Sequence, residues 1–301
     1  MPRTLTNLNG LHSAVFAAMN DPSWYGGHGE KKFRSVTGLL KPPFAAALED
    51  AREDEIVEDA MDGIWKLMGS AMHGVVEKGA KTIGIAEDRL KMTILGETIT
   101  GGYDLLWEED GVLTVDDFKF TSVWSYVFAK KHKAEGKRSK LDEWEGQLNL
   151  YVLMLRRLGF DVKRARVCLI FRDWTKSKAM DPGYPPPSVI VPLKIWTEKE
   201  QTAFAEERVR LHKEALEPEK VPEMCSSDER WQQPAKYAVM KPGAAKATRV
   251  LDSEEEALKY IAEKKVKGGM VVMRPGRDTR CEDYCPVNKW CPHFMESSLP
   301  F

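Results

Sequence analysis

Apolar residues return at two distinct periods along the chain, and the switches between them outline an α/β arrangement. From about Glu55 to Glu77, Ile56, Ala60, Ile64, Leu67, Met68 and Val75 recur at helical spacing, which predicts a helix ending near Gly79. Three shorter runs read as strands: Lys91–Leu95, Tyr103–Glu108 and Val112–Phe120. Between the last two, Glu108-Glu109-Asp110-Gly111 is an acidic turn closing on glycine, which predicts a hairpin. A helix follows over Asp142–Arg157, with Trp144, Leu148, Tyr151 and Leu155 on one face. Ala165–Phe171 and Ser188–Trp196 then read as strands, and Thr197 with Glu200 forms a capping box opening a helix to about Glu217.

The flanks have a different texture. Residues 1–54 carry Gly26, Gly27, Gly29 and the Pro42-Pro43 pair and read as loops with short helices packing on the core. Pro218–Pro222 reads as a boundary between a core at 55–217 and a C-terminal region at 218–301. That region holds a short helix at Ser253–Lys264, a strand at Gly269–Met273 and a cysteine-rich end.

Composition narrows the class. The 301 residues are 43% hydrophobic and 30% charged, enough for a substantial core in a soluble protein. With a net charge of −1, any nucleic-acid contact has to come from a local patch rather than from bulk positive charge. Met1–Asn20 lacks the apolar stretch of a signal peptide, and no window approaches a membrane span, so the expected location is cytoplasmic, with no membrane partner.

The chemistry concentrates on Asp104 and the tripeptide Asp117-Phe118-Lys119. Carboxylates on the two strands of a hairpin can converge on one Mg2+ or Mn2+ ion, for which oxygen is the natural ligand. Asp117 and Lys119 alternate along a strand and so project to one side, setting an ammonium beside the metal to orient water and offset charge on a phosphate. A lone Asp-x-Lys also fits a surface cross-strand pair, so the neighbouring residues decide. His73 lies late in the first long helix with Glu77 one turn on; an imidazole can complete a carboxylate site, and Glu77 can support it or touch a second ion. Gln147 and Tyr151 form a second i, i+4 pair, placed to position Lys119, a water or a phosphate.

In order, His73, Asp104, Asp117-x-Lys119 and Gln147-x-x-x-Tyr151 resemble the RecB-like branch of the PD-(D/E)XK nucleases. The local settings match as well: Gly69-Ser70-Ala71-Met72-His73, Gly102-Tyr103-Asp104 and Val115-Asp116-Asp117-Phe118-Lys119. The likeness spans roughly residues 60–175, and the text from Cys225 to Trp231 and from Arg280 to Cys291 resembles phage-encoded members, akin to CRISPR-associated exonucleases. It implies a mixed central sheet flanked by helices. It also implies that His73, Asp104, Asp117 and the Phe118 carbonyl bind the catalytic metal, that Lys119 assists the attacking water, and that Gln147 and Tyr151 organise the site. The implied activity is exonucleolytic hydrolysis of DNA in recombination, repair or phage DNA metabolism, with a recombinase or helicase as a plausible partner. The rival reading is a non-catalytic nucleic-acid-binding or adaptor protein with a zinc site on a decayed nuclease fold.

Of five cysteines, Cys281-x3-Cys285-x5-Cys291 lie in one short loop, a spacing at which thiolates bind Zn2+ or an iron–sulfur cluster. Cys225 is the candidate fourth ligand and His293 its rival; Cys3His would favour zinc. The family resemblance favours a 4Fe-4S cluster stapling a small C-terminal subdomain. Cys168, set mid-strand between Val167 and Leu169, reads as core. The basic run Lys130, Lys131, Lys133, Lys137, Arg138 and Lys140 reads as a loop beside the site that can follow DNA phosphates. Trp124, Tyr126 and Phe128 just before it read as buried core.

Overall fold

The computed structural model describes residues 3–21, 34–86, 88–217 and 223–297. The glycines at 26, 27 and 29 and the proline-bounded segment 218–222 lie outside the described residues. Two compact units emerge, Met1–Glu223 and Met224–Phe301.

The first unit is built on a mixed five-stranded sheet. Its strands run in the order Ile85–Ala86, Leu105–Glu109, Val112–Thr121, Arg164–Phe171, Ser188–Leu193, with a parallel pair in the middle and antiparallel partners outside. Parallel pairing of Val112–Thr121 with Arg164–Phe171 requires a long crossover, and the helices Val123–Ala134 and Lys140–Arg157 supply it. Thr114 to Asp117 are all buried, as expected of a strand covered on both faces. The hairpin closes as its sequence requires: Glu109 faces Val112, and Asp110 (φ 53°) and Gly111 (φ 73°) both adopt the left-handed conformation of a tight two-residue turn.

The expected Lys91–Leu95 strand is Arg89–Ile94, and it belongs to a second hairpin with Glu97–Gly102 that the polar text Glu97-Thr98 and the paired glycines concealed. Leu90, Met92 and Ile94 point inward from it to the core that gathers under the Lys140–Arg157 helix, buried from Leu148 through Leu155. Ser139 caps that helix in a capping box with Asp142.

Two expectations are corrected here. The helix placed from Glu55 begins only at Ile64 and runs to Ala80. Before it, Val57–Asp59 is a strand parallel to Thr4–Thr6, and Ala60–Gly63 is a 3-10 turn. Asp59 explains the break. Its carboxylate accepts the Met61 and Leu8 N–H groups and bonds to Thr6 and Asn9, drawing the local backbone out of helix. The basic stretch after the hairpin is likewise no loop up to Ala134: Ser122 caps a helix over Val123–Ala134, its hydroxyl accepting the Ser125 N–H at 3.1 Å.

Thr197 and Glu200 form the expected capping box, and the Glu198–Ala215 helix buries His212, 2% exposed, whose Nε2 donates to the Leu39 carbonyl at 3.0 Å. Burial, with the Arg208 guanidinium adding to it, pushes this imidazole down to about 4. A depressed imidazole pKa stabilises the fold above the unfolded value and is lost as pH falls, because the unfolded chain then binds the extra proton. Between about pH 7 and about pH 4 His212 should cost the protein about 2–3 kcal/mol. Urea melts across that window should show a smaller acid loss for His212→Gln; equal losses would refute the assignment.

The second unit holds a three-stranded antiparallel sheet, Arg249–Leu251, Lys236–Met240, Met270–Arg274, with the helix Glu254–Glu263 against it. Ser253 caps that helix through the Glu256 N–H. A small ladder pairs Gln232–Gln233 with Arg277–Asp278 and leads into the short helix Thr279–Asp283 and the cysteine-rich end. Among the described residues no helix is long and apolar enough to cross a membrane.

Candidate active site

The register of the hairpin places the two carboxylates. Leu105 faces Asp116, so Asp104, in the bend just before the Leu105–Glu109 strand, stands opposite Asp117 and on the same face of the sheet. Where that strand has stopped, the Phe118 N–H finds its acceptor in Asp104 Oδ2 at 2.6 Å. The bond fixes the Asp104 carboxylate and leaves Oδ1 turned to His73, whose Nδ1 lies 3.5 Å away. His73 comes from the Ile64–Ala80 helix, which packs on the Val112–Thr121 strand. The close contact with Asp104 raises its imidazole above the ordinary value; burial and the Lys119 ammonium oppose this.

Asp117 is only 3% exposed. Gln147 Nε2 donates to its Oδ1 at 3.3 Å and to the Tyr151 hydroxyl at 3.0 Å, so the helix pair reaches the carboxylate as one unit. The Lys119 ammonium stands 2.7 Å from Oδ2 and gives that buried oxygen its counter-charge. Burial pushes the Asp117 carboxyl up, against the pull of Lys119. Burial, with the negative charge of Asp117, also raises the Tyr151 phenol, which stays protonated. Tyr151 sits so close to the neighbouring hairpin that a Cβ on Gly101 would fall 2.8 Å from its ring, which explains a glycine there.

His73, Asp104, Asp117, Lys119, Gln147 and Tyr151 therefore meet on one face of the sheet. Two carboxylates and an imidazole form a donor set that suits a hard divalent cation. As placed, no three His, Cys, Asp or Glu side chains among the described residues form a ready cage, and Lys119 holds the position on Asp117 that a cation would contest. Glu77 is not drawn in: it pairs with Lys81 one turn along its own helix.

Asp116 points to the opposite face and does different work. It is buried, takes Arg166 in a two-pronged pair at 2.7 Å and 2.7 Å, and accepts the Trp107 indole N–H at 2.8 Å. Strand alternation thus turns the adjacent aspartates to opposite faces of the sheet, each with its own partners. Arg166 is invisible to local pattern, because it reaches Asp116 from a strand fifty residues on.

The basic run is largely compensated. Lys133 pairs with Asp142 and Glu145, Lys137 with Glu135, Lys140 with Glu143, and Lys131 approaches Glu135 at 3.8 Å. Lys130 lies over the Tyr126 ring, and Arg138 lines a cavity of about 520 Å3 with Trp196 and Phe204. The aromatic expectation is corrected in two of three cases. Tyr126 packs on Phe171 and the core, but Trp124 and Phe128, four residues apart on one helix face, are 47% and 52% exposed.

In the second unit, Cys225, Cys281, Cys285 and Cys291 come near enough for their charges to interact. Burial, then Glu229 and the other three sulfurs, pushes Cys225 up to about 12, and burial with Asp278 raises Cys281 to about 11. His293 Nε2 bonds to Asp278 at 2.6 Å, leaving Nδ1 as the ring nitrogen without that bond. The sulfurs are chemically apt for zinc or a cluster, yet no metal-holding group is formed among the described residues, and the 4Fe-4S expectation draws no support from their arrangement. Cys168 is core, its thiol pushed up to about 12 by burial.

No curated protein matches the chain. A solved structure, that of SSO0001, is similar over 74% of this chain and 92% of its own, with 15% identity and a TM-score of 0.45. Residues 30–292 match the family described as the PD-(D/E)XK nuclease superfamily, and with that match spanning most of its length the chain belongs to this superfamily.

Proposed function

We propose that this protein is a divalent-metal-dependent deoxyribonuclease whose active site is the His73, Asp104, Asp117 and Lys119 face. The observation that carries the reading is the buried Asp117 carboxyl group, set 2.7 Å from the Lys119 ammonium and across the hairpin from a second carboxylate. His73, Asp104, Asp117 and the Phe118 carbonyl would hold Mg2+ or Mn2+. When bound, such a cation supplies positive charge against phosphate and acidity to water. Lys119 releases Asp117 to that charge and turns its ammonium to the phosphate oxygens. Gln147 keeps Asp117 in its rotamer, and protonated Tyr151 keeps Gln147 in register. Asp104 is held by the Phe118 N–H, so it needs no reorganisation.

Degradation from DNA ends, in recombination, repair or phage DNA metabolism, rests on the sequence resemblance, as does a recombinase or helicase partner. Digestion of end-labelled linear and closed circular DNA with Mg2+ or Mn2+, beside Asp117→Asn, tests the reading. Cleavage lost in the variant establishes the nuclease, and sparing of circles marks end dependence. No cleavage by the folded wild type would turn the function to non-catalytic DNA binding.

The nearness of Cys225, Cys281, Cys285 and Cys291 supports a second proposal, that they bind a metal centre, 4Fe-4S or zinc, which staples the second unit. Purified protein should then carry iron with acid-labile sulfide, or zinc, and Cys285→Ala should lose both the metal and solubility. A metal-free wild type that remains folded would remove the idea.

A further inference from the structure

Trp65, Trp124 and Phe128 are exposed rings on the elements that carry His73 and follow Lys119. Trp65 is 51% exposed, and Trp124 and Phe128 about as much, with the last two tilted together at 5.8 Å between ring centres. Single exposed apolar residues are ordinary on protein surfaces. Two of these rings carry cations: the Arg172 guanidinium lies 4.4 Å over Trp65, and Lys178 Nζ lies 5.9 Å over Trp124.

Backbone ties bring them to one end of the sheet. The Arg172 N–H donates to the Thr121 carbonyl at 2.9 Å, and the Val123 N–H donates to Asp173 Oδ1 at 2.7 Å. The start of the Val123–Ala134 helix, which carries Trp124 and Phe128, is thus fastened to the segment carrying Arg172. Thr121 is two residues past Lys119, about 7 Å along the strand. Trp65 precedes His73 by eight residues of one helix, about 12 Å along its axis. Both distances lie within the reach of a short stretch of an extended single strand.

A half-exposed ring with a guanidinium or ammonium over one face suits a base stacked on its other face and a phosphate beside the cation. The fully paired bases of a duplex are stacked on each other and cannot use such a face. We propose that Trp65, Trp124 and Phe128, with Arg172 and Lys178, form a stacking surface for unpaired bases of the strand leading to the active site, so that the substrate class is single-stranded DNA or a frayed end. The location of the scissile phosphate rests on the nuclease reading; the binding itself does not.

The test is fluorescence anisotropy of the full-length protein in EDTA, where nothing is hydrolysed. Three labelled probes are compared: oligothymidine, an abasic strand of the same length and charge, and a blunt hairpin duplex. Wild type should bind oligothymidine about 10- to 100-fold more tightly than the abasic strand. Trp124→Ala with Phe128→Ala, and separately Trp65→Ala, should erase that preference and leave abasic and duplex binding unchanged. Equal wild-type affinity for the thymidine and abasic strands would overturn the proposal, and that comparison holds even where a variant fails to fold. So would variants that weaken all probes alike, the result expected of a structural or protein-docking face, or that weaken none. Ring-dependent binding without cleavage would sink the nuclease reading alone; cleavage with ring-independent binding would sink this one alone.

Discussion

Lys119→Ala should slow DNA hydrolysis about 10²–10³-fold, the loss typical when one charge-stabilising donor is removed from a preorganised site. The structure makes the prediction sharper, because Lys119 touches Asp117. Its ammonium, 2.7 Å from Oδ2, competes for the oxygen a divalent cation would take. Removing it should therefore leave metal affinity unchanged or higher while the maximal rate falls. Asp117→Asn should lower both. The same aspartate links function to stability. Its carboxyl is pushed up by burial, so the protonated form is favoured in the folded chain. The stability this contributes is present at acid pH and lost as pH rises through the raised value, so ionising Asp117 in the metal-free protein carries a cost. In EDTA, Asp117→Asn should melt higher than wild type, and added Mn2+ should raise the wild type alone. The readouts are single-turnover rates against metal concentration and thermal melts with and without Mn2+. Were Lys119→Ala to weaken metal binding and keep its rate at saturating metal, the lysine would be a structural partner of Asp117 and nothing more.

The six residues of this site were legible in the text because each follows from a local period. Asp117 and Lys119 share a face by strand alternation, His73 and Gln147 with Tyr151 are read from helix spacing, and the acidic turn fixes the hairpin register that sets Asp104 opposite Asp117. What escaped is non-local or context-dependent. Glu97–Gly102 has no strand-like apolar alternation, and only its partner Arg89–Ile94 and the Tyr151 ring against Gly101 account for it. Trp124, Tyr126 and Phe128 alternate in the text, yet they lie on a helix, where 124 and 128 share a face and 126 turns to the core. A basic run signals charge but not its neutralisation, which here comes from acids on the same segment and on the next helix. Glu77 had the right spacing from His73, but a lysine one turn further claims it.

The largest effect on stability is expected on the other face of the catalytic strand. Arg166→Ala should destabilise the protein by about 3–5 kcal/mol, the usual cost of breaking a buried ion pair and stranding one partner. Asp116 is buried and depends on both prongs of Arg166; the Trp107 indole alone cannot satisfy a carboxylate. Arg166 also binds Glu109, which Arg164 shares at 2.6 Å, so the guanidinium ties the hairpin to the parallel strand at the register where Asp116 faces residue 166. The loss should be much smaller in the double variant Asp116→Asn with Arg166→Met, since removing both charges leaves no ion unpaired in the interior. Urea unfolding of the two single variants and the double measures the coupling directly. Because Asp116 and Asp117 project to opposite faces, the rate per folded molecule should change little in the double variant. A single-variant loss under about 1 kcal/mol, the range of an exposed pair, would show that water reaches this face and that the pair does not hold the strand in place.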